Sequence, residues 1–151
     1  MLITRESEYA MRMVRALADN EVRAVRKICD DELIPHKWAY KILKKMERAK
    51  IVKAFHGANG GYRLDMELSQ ISMLDILGIN ENTLRFNECM YSANGCMHHG
   101  KTGGCEIRRE LGRLETIIKT ALSERTMDMV VEAIEPSGAR SVCRTSQPSA
   151  D

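Results

Sequence analysis

The chain has 151 residues and 44% apolar content, which fits one globular domain of ordinary size and excludes an intrinsically disordered protein. No secretory h-region and no run of about eighteen apolar residues is present, so we expect a soluble cytoplasmic protein with no membrane partner. The net charge of +2 is unevenly divided: residues 1–63 hold 14 Lys and Arg against 8 Asp and Glu, and residues 64–151 hold 9 against 13. The basic half is a candidate polyanion-binding surface.

The first two predicted elements are short amphipathic helices. Apolar side chains recur at helical spacing from about Thr4 to Ala18, with no Gly or Pro between them. Val22, Val25 and Ile28 form a shorter apolar set and indicate a second helix of about two turns. This helix should end near the sequence CDDELIP, because Asp and Pro favour a break followed by a new helix start.

A third, basic helix follows, with Pro35 in its first turn. Trp38, Ile42 and Met46 form its apolar face. The lysines and the arginine of this stretch lie mostly elsewhere around the cylinder. The helix should therefore bury one side and present cations on the other.

The sequence IVKAFHGANGGYRL predicts a β-hairpin, because β-branched and aromatic residues flank a Gly-rich turn. A short helix is predicted at residues 72–77, and a long helix from Cys105 to about Leu122. The long helix has an apolar stripe at steps of three and four, made of Ile107, Leu111, Leu114, Ile118 and Ala121. A last short helix is expected in MDMVVEAI, followed by a polar tail.

Three cysteines fall in one short aperiodic stretch, NECMYSANGCMHHGKTGGCEI. No disulfide scheme pairs all of Cys89, Cys96 and Cys105, so at least one is free, bonded to another chain or bound to a metal. In a reducing compartment, metal ligands, reactive thiols or small core residues are more usual than a disulfide framework. Cys29 is interpreted as a small core residue, and Cys143, in the tail, is given no structural role.

Two short helices, a basic helix and a β-hairpin, in that order, describe a winged helix-turn-helix, whose partner is double-stranded DNA. The polar residues of the third helix are then free to enter a major groove. The candidates for base contacts are His36, Lys37, Tyr40 and Lys41. The candidates for phosphate contacts are Lys44, Lys45, Arg48, Lys50 and Lys53. The hairpin adds two further candidates, His56 and Asn59.

These features resemble the bacterial iron-sulfur cluster and nitric-oxide-responsive winged-helix transcription regulators, the IscR/NsrR type, over roughly residues 1–134. The resemblance rests on SEYAMRMVRALA, on AYKILKKMERAKIVKAFHGANGGYRL and on ISMLDIL. The wing motif G-x-x-G-G-Y-x-L is its most specific part, matched by Gly57, Gly60, Gly61, Tyr62 and Leu64. One difference is His56, where the family commonly has an arginine, and a histidine is a weaker cation near neutral pH.

The resemblance implies a mainly α fold with a small β-hairpin, in which a winged helix-turn-helix is joined to a long dimerisation helix. It also implies a homodimer on a near-palindromic operator. The expected divisions are a DNA-binding domain at 1–78, a cysteine-containing cluster loop at 79–104, the dimerisation and final helices at 105–134, and a mobile tail at 135–151. The implied function is transcriptional regulation in response to redox, iron or nitric oxide status. No enzymatic activity is expected.

Members of the family that carry a cluster hold it with three cysteines in this loop. The resemblance therefore implies that Cys89, Cys96 and Cys105 bind a 2Fe-2S or 4Fe-4S cluster. The spacing differs from the family pattern, because the six and eight intervening residues are more than the family's usual gaps. A cluster state that orders the loop would set the distance between the two recognition helices of the dimer.

The fourth ligand must be a donor other than cysteine. Some family members use a histidine three residues beyond the third cysteine, but this position is Arg108, which cannot ligate iron. Others use an acidic residue just before the Tyr-Ala pair of the first helix, donated by the other subunit, and here this residue is Glu8. His98 and His99 within the loop are rivals.

Other interpretations stay open. Zinc is one, although structural zinc sites tend to use close pairs of ligands with two to four intervening residues. A metal-free thiol sensor, or a cysteine-metabolism repressor of the same fold, is another. An enzyme is disfavoured, because the histidines lack a Ser or Cys triad context and the glycines lie in a hairpin instead of opening a helix.

Overall fold

The computed structural model describes residues 3–79, 91 and 105–132. Within these residues the chain is mainly helical and has one two-stranded antiparallel sheet, so the predicted fold class is confirmed. In chain order the elements are α1 (Arg5–Ala16), α2 (Val25–Glu32), α3 (His36–Arg48), β1 (Val52–Phe55), β2 (Gly61–Leu64), a 3-10 turn at Leu68–Gln70, α4 (Met73–Gly78), α5 (Glu106–Ser123) and α6 (Met127–Glu132).

The hydrophobic core lies between α1, α2 and α3. Its largest side chains are at most 1% exposed and include Met13, Leu17, Ile28, Ile42, Leu43 and Met46. Trp38 is only partly buried and packs against the edge of this cluster. Burial of a large apolar side chain contributes about 1.5–3 kcal/mol, so this cluster holds the three helices in a fixed arrangement.

The second helix begins later than the sequence pattern predicts. Val22 lies before α2 and is 40% exposed, because the next residue is in extended conformation and pairs with the hairpin. Arg23 and Tyr62 exchange two backbone hydrogen bonds of 2.9 Å each. The segment before α2 therefore ties the helical core to β2.

The predicted hairpin is confirmed and forms the wing. Its strands pair Val52 with Leu64 at one end and Phe55 with Gly61 at the other. Gly57 has φ of +115°, a conformation that side-chain-bearing residues rarely adopt. A Cβ on Gly61 would lie 2.1 Å from the carbonyl oxygen of Arg23, so glycine is required there for the close approach of the two backbones.

The last helix of the described chain returns to the N-terminal core. Two backbone hydrogen bonds of 2.8 Å, from Met73 to Arg125 and from Met127 to Ile71, join the starts of α4 and α6. Met127 is 1% exposed and belongs to the core cluster. The α6 helix is therefore part of the same packed unit as the helix-turn-helix.

The long helix α5 has little of its surface covered. Glu115 is its only buried residue, five others are partly buried, including Leu111 and Ile118 of the apolar stripe, and within the described residues it packs on α4. On its apolar stripe, Ile107 is 72% exposed and Leu114 is 37% exposed. In the described part of the chain, no helix is both long and apolar enough to cross a bilayer.

Candidate DNA interface and cysteine loop

The α3 helix divides into a buried side and a basic, solvent-exposed side, as predicted. Its buried side packs into the core through Ala39, Ile42, Leu43 and Met46. Most of the predicted contact residues are exposed: His36, Lys37, Tyr40, Lys41, Lys44 and Arg48. Lys45 is instead partly buried, and its side chain is 29% exposed.

Near the N-terminus of α3, polar and aromatic groups are held by local contacts. The Nε2 of His36 lies 3.8 Å from a carboxylate oxygen of Asp30 at the end of α2. The ammonium of Lys41 lies 5.3 Å from the centre of the Trp38 ring, within range of a cation–π contact. Tyr40 is 57% exposed, so its ring and hydroxyl are open to solvent.

Glu6, in the first turn of α1, bridges two lysines of α3. Its carboxylate oxygens accept hydrogen bonds from Lys41 at 2.5 Å and from Lys45 at 2.6 Å. These bonds hold the pKa of Glu6 below its ordinary value, and the bond from Lys41 has the larger effect. The sequence analysis did not identify this contact, because it joins residues 35 and 39 positions apart.

The turn between α2 and α3 fixes the angle of the helix-turn-helix. Leu33 has φ of +54°, and the amide of Ile34 donates to the carbonyl of Cys29 at 2.9 Å, which closes α2 with a left-handed turn. From α1, Arg12 donates to the carbonyl oxygen of Glu32 at 3.2 Å, and Arg15 pairs with the Glu32 carboxylate. The end of α2 is thus held against α1 just before α3 begins.

The wing follows α3 directly and carries its own cations. Lys50, two residues after α3, has φ of +59°, and the amide of Ile51 donates to the carbonyl of Met46 at 2.9 Å. On the hairpin, Lys53 lies directly opposite Arg63, with their side chains on the same face. The guanidinium of Arg63 stacks over the Phe55 ring at 5.1 Å.

The wing places two predicted residues on the surface and adds one that was not predicted. His56 and Asn59 are both exposed between β1 and β2. The sequence analysis did not identify Arg63, because it occupies a variable position of the family motif. The usable signal was that Lys53 and Arg63 occupy matching positions on the two strands, on either side of the turn. Like charges directly opposite each other destabilise a hairpin, so this pair is costly unless an anion neutralises it.

Most of the cysteine loop falls outside the described residues, including Cys89, Cys96, His98 and His99. Cys105 is described, and it occupies the N-cap position of α5 with its side chain partly exposed. Across the described ranges, no group of three His, Cys, Asp or Glu side chains is arranged to hold a metal ion. The proposed ligand set therefore stays a prediction.

Three other residues weighed as ligands or thiols lie within the described ranges. Glu8 is on α1, where its carboxylate accepts a hydrogen bond from Arg12 and is 45% exposed. Arg108 is exposed on the first turn of α5. Cys29 is 2% exposed, and burial raises the pKa of its thiol, which agrees with its interpretation as a core residue.

Comparison with known proteins gives a family and a fold. Residues 3–133 match the Rrf2 family, described as an iron-dependent transcriptional regulator. The protein aau3 of Rhizobium meliloti (strain 1021) is 26% identical over 135 residues, which is 88% of this chain and 86% of that protein.

Solved structures that share the fold include CymR and IscR. CymR (YrzC), the global cysteine regulator of B. subtilis, superposes with a TM-score of 0.68 at 20% identity, over 87% of this chain and 96% of that one. IscR of T. potens superposes with a TM-score of 0.70 at 17% identity, over 91% and 90% of the two chains. At these identities the likeness shows the winged-helix fold alone.

Proposed function

The chain belongs to the Rrf2 family of DNA-binding transcriptional regulators, and from that premise we propose that it is a homodimer that reads an operator with α3 and the wing. We propose further that it senses redox, iron or nitric oxide status through an iron-sulfur cluster held by its cysteine loop. The proposal that α3 and the wing read DNA is supported by the exposed basic side of α3. The wing, with its two cations Lys53 and Arg63, follows directly after it in the chain.

The geometry of α3 supports its placement in a major groove. The helix has 13 residues and is therefore about 20 Å long, and a helix of normal diameter fits a groove about 12 Å wide. The exposed Tyr40 and Lys37 lie in its N-terminal half, the part that contacts base edges in helix-turn-helix proteins. Lys53 and Arg63 of the wing would neutralise backbone phosphates, which removes the cost of placing them opposite each other.

Affinity measured against salt concentration tests this interface. Lys44→Ala should reduce the steepness of log affinity against log salt by about 0.9, the value of one phosphate contact. Affinity should fall by a similar factor on every duplex sequence. Tyr40→Ala should instead change the preferred sequence in a selection from random duplexes. Arg125→Ala, which removes an exposed cation beyond the end of α5, is the matched control and should change neither result. If wild-type affinity is independent of salt, the interface is wrong.

The exposed apolar stripe of α5 supports the proposed dimer. Ile107 and Leu114 of the stripe are exposed in the single chain, as is Ile117 beside it, and a helix with such a surface is stabilised by a second apolar surface. A second copy of α5 across a two-fold axis supplies that surface with the same residues. The dimer would place two α3 helices on the two halves of one operator.

The donor set of the chain fits an iron-sulfur cluster chemically. Thiolates are the ligands that such clusters prefer, and the family resemblance implies that a carboxylate completes the set. Cys105 is partly exposed at the start of α5, where the helix dipole favours a negative ligand. The half-exposed pair between Glu8 and Arg12 is worth about 1 kcal/mol or less, so Glu8 can leave it at small cost. Arg108, which has no lone pair to donate, is excluded.

A bound cluster would supply iron and sulfide that react with oxidants and nitric oxide. The chain would hold it through Cys89, Cys96 and Cys105, with Glu8 of the partner subunit as fourth donor. Protein purified without oxygen should absorb in the visible, and alanine at any of these cysteines should abolish the absorption. Cys143→Ala is the matched control and should retain it. A colourless wild-type protein without iron would refute the sensor.

A metal-free regulator that senses thiols or cysteine metabolism is the second candidate. The observation that favours it is the fold likeness to CymR, a global cysteine regulator, whose TM-score is close to that of IscR. The two candidates differ in iron content. Stoichiometric iron and acid-labile sulfide support the cluster, and their absence from a protein that still binds DNA supports the second candidate.

A further inference from the structure

Two of the cations on α3 are already occupied by a carboxylate of the same chain. Lys41 and Lys45 are one helical turn apart, and Glu6 bonds both ammonium groups from the neighbouring helix α1. The Glu6 side chain is 17% exposed, whereas Lys41 is 56% exposed. The three groups together carry one positive charge instead of two, and Lys41, the exposed member, lies on the side of α3 that faces DNA in the proposed complex.

A carboxylate in this position competes with a phosphate for the same donors. Binding to DNA of arbitrary sequence is almost entirely neutralisation of phosphates by lysine and arginine. Binding to an operator also draws on base contacts, which need a side chain held in one arrangement. The contact of Glu6 with the two lysines therefore disfavours binding to DNA of arbitrary sequence and favours binding to an operator.

We propose that Glu6 is a specificity-determining residue, whose carboxylate holds Lys41 and Lys45 in the free protein and thereby lowers the affinity of α3 for DNA of arbitrary sequence. This inference rests on the proposed placement of α3 on DNA. The carboxylate of Glu6 thus determines how much of the positive charge of Lys41 and Lys45 is available to DNA phosphates.

The test compares Glu6→Gln with wild type on two duplexes, one of random sequence and one selected by the wild-type protein from a random library. Glutamine keeps the size of the side chain, and Glu6→Ser provides a second variant at the same position. Glu124→Gln is the matched control, because it removes one negative charge at the end of α5, away from α3. The melting temperature of each variant is measured alongside.

Loss of the carboxylate should free about one further phosphate contact. The salt slope on random duplex should steepen by about 0.9, and affinity at 0.1 M salt should rise roughly fivefold to tenfold. Affinity for the selected duplex should rise less, so that the ratio of selected to random affinity falls. Glu124→Gln should change both affinities by less than about twofold, as expected for a distant screened charge.

A variant in which Lys41 and Lys45 are both methionine separates the possible failures. In that background Glu6→Gln should have no effect on either duplex. If the methionine variant binds less tightly than wild type but Glu6→Gln leaves random-duplex affinity unchanged or lower, the inference is wrong and the DNA interface stands. If the methionine variant binds random duplex as tightly as wild type and with the same salt slope, the interface and the inference both fail.

Discussion

Replacing Leu114 by lysine tests whether a second copy of the chain covers the apolar stripe of α5. Leu114 lies near the middle of the stripe and is 37% exposed in the single chain. A lysine at this position can reach water in the monomer, so the fold should persist. In the proposed dimer it would place an ammonium group against the partner's stripe.

The expected cost follows from the exposed fraction. Complete burial of a leucine contributes about 1.5–3 kcal/mol, so burial of the remaining third contributes about 0.5–1 kcal/mol. Two-fold symmetry doubles this to about 1–2 kcal/mol for each dimer, and desolvation of two ammonium groups adds to it. The dissociation constant of the dimer should therefore rise at least about tenfold, since 1.4 kcal/mol is a factor of ten.

Sedimentation velocity over a dilution series measures this constant, and far-UV circular dichroism checks that the helices are retained. Thr116→Lys is the matched control, because Thr116 is exposed and lies on the opposite side of α5. It should leave the constant unchanged. The account of the stripe is refuted if Leu114→Lys associates as tightly as wild type, or if both variants weaken association equally.

Three further predictions concern stability. Leu33→Gly should stabilise the protein by about 0.5–1 kcal/mol, because the left-handed conformation at +54° costs a leucine about 1–2 kcal/mol, and the greater conformational entropy of glycine in the unfolded chain offsets only part of the gain. Urea unfolding should show an increased free energy of unfolding for this variant and none for Leu33→Ala. Gly61→Ala should destabilise the protein by about 2 kcal/mol or more and weaken DNA binding, since its Cβ would lie 2.1 Å from the Arg23 carbonyl oxygen; an unchanged urea midpoint would contradict this packing. The pKa of Glu6 in the folded protein lies below the ordinary value of 4.5, so its ion pairs contribute about 1 kcal/mol or less to stability above pH 4.5, and this contribution is lost as the pH falls through the pKa of the folded state. The free energies of unfolding of wild type and Glu6→Gln in urea should therefore differ at neutral pH and converge in acid.

The parts of the fold that depend on local pattern could be predicted from the sequence. The buried side of α3 follows from the spacing of Ile42 and Met46, and the wing follows from its three glycines, each of which meets a conformational or steric requirement that other residues violate. The start of α2 was misplaced because Val22 has helical spacing but lies next to a backbone pairing with a strand distant in the sequence.

Long-range side-chain pairs could not be predicted in this way. Periodicity shows which side of a helix is polar, but not that a particular carboxylate of α1 reaches two lysines of α3. The cysteine loop illustrates the other limit, since its residues show no period and its interpretation depends on the resemblance to a family. Of its three cysteines, only Cys105 lies within the described residues.

The most direct test of the proposed function is the affinity of oxygen-free protein for its selected duplex, measured before and after removal of iron by a chelator. The account predicts a change of at least about tenfold, corresponding to a coupling of at least about 1.4 kcal/mol, and recovery when iron and sulfide are restored. Cys105→Ala should bind with the affinity of the iron-free protein in both conditions. Equal affinity of the wild-type protein with and without iron would contradict the claim that a cluster controls DNA binding.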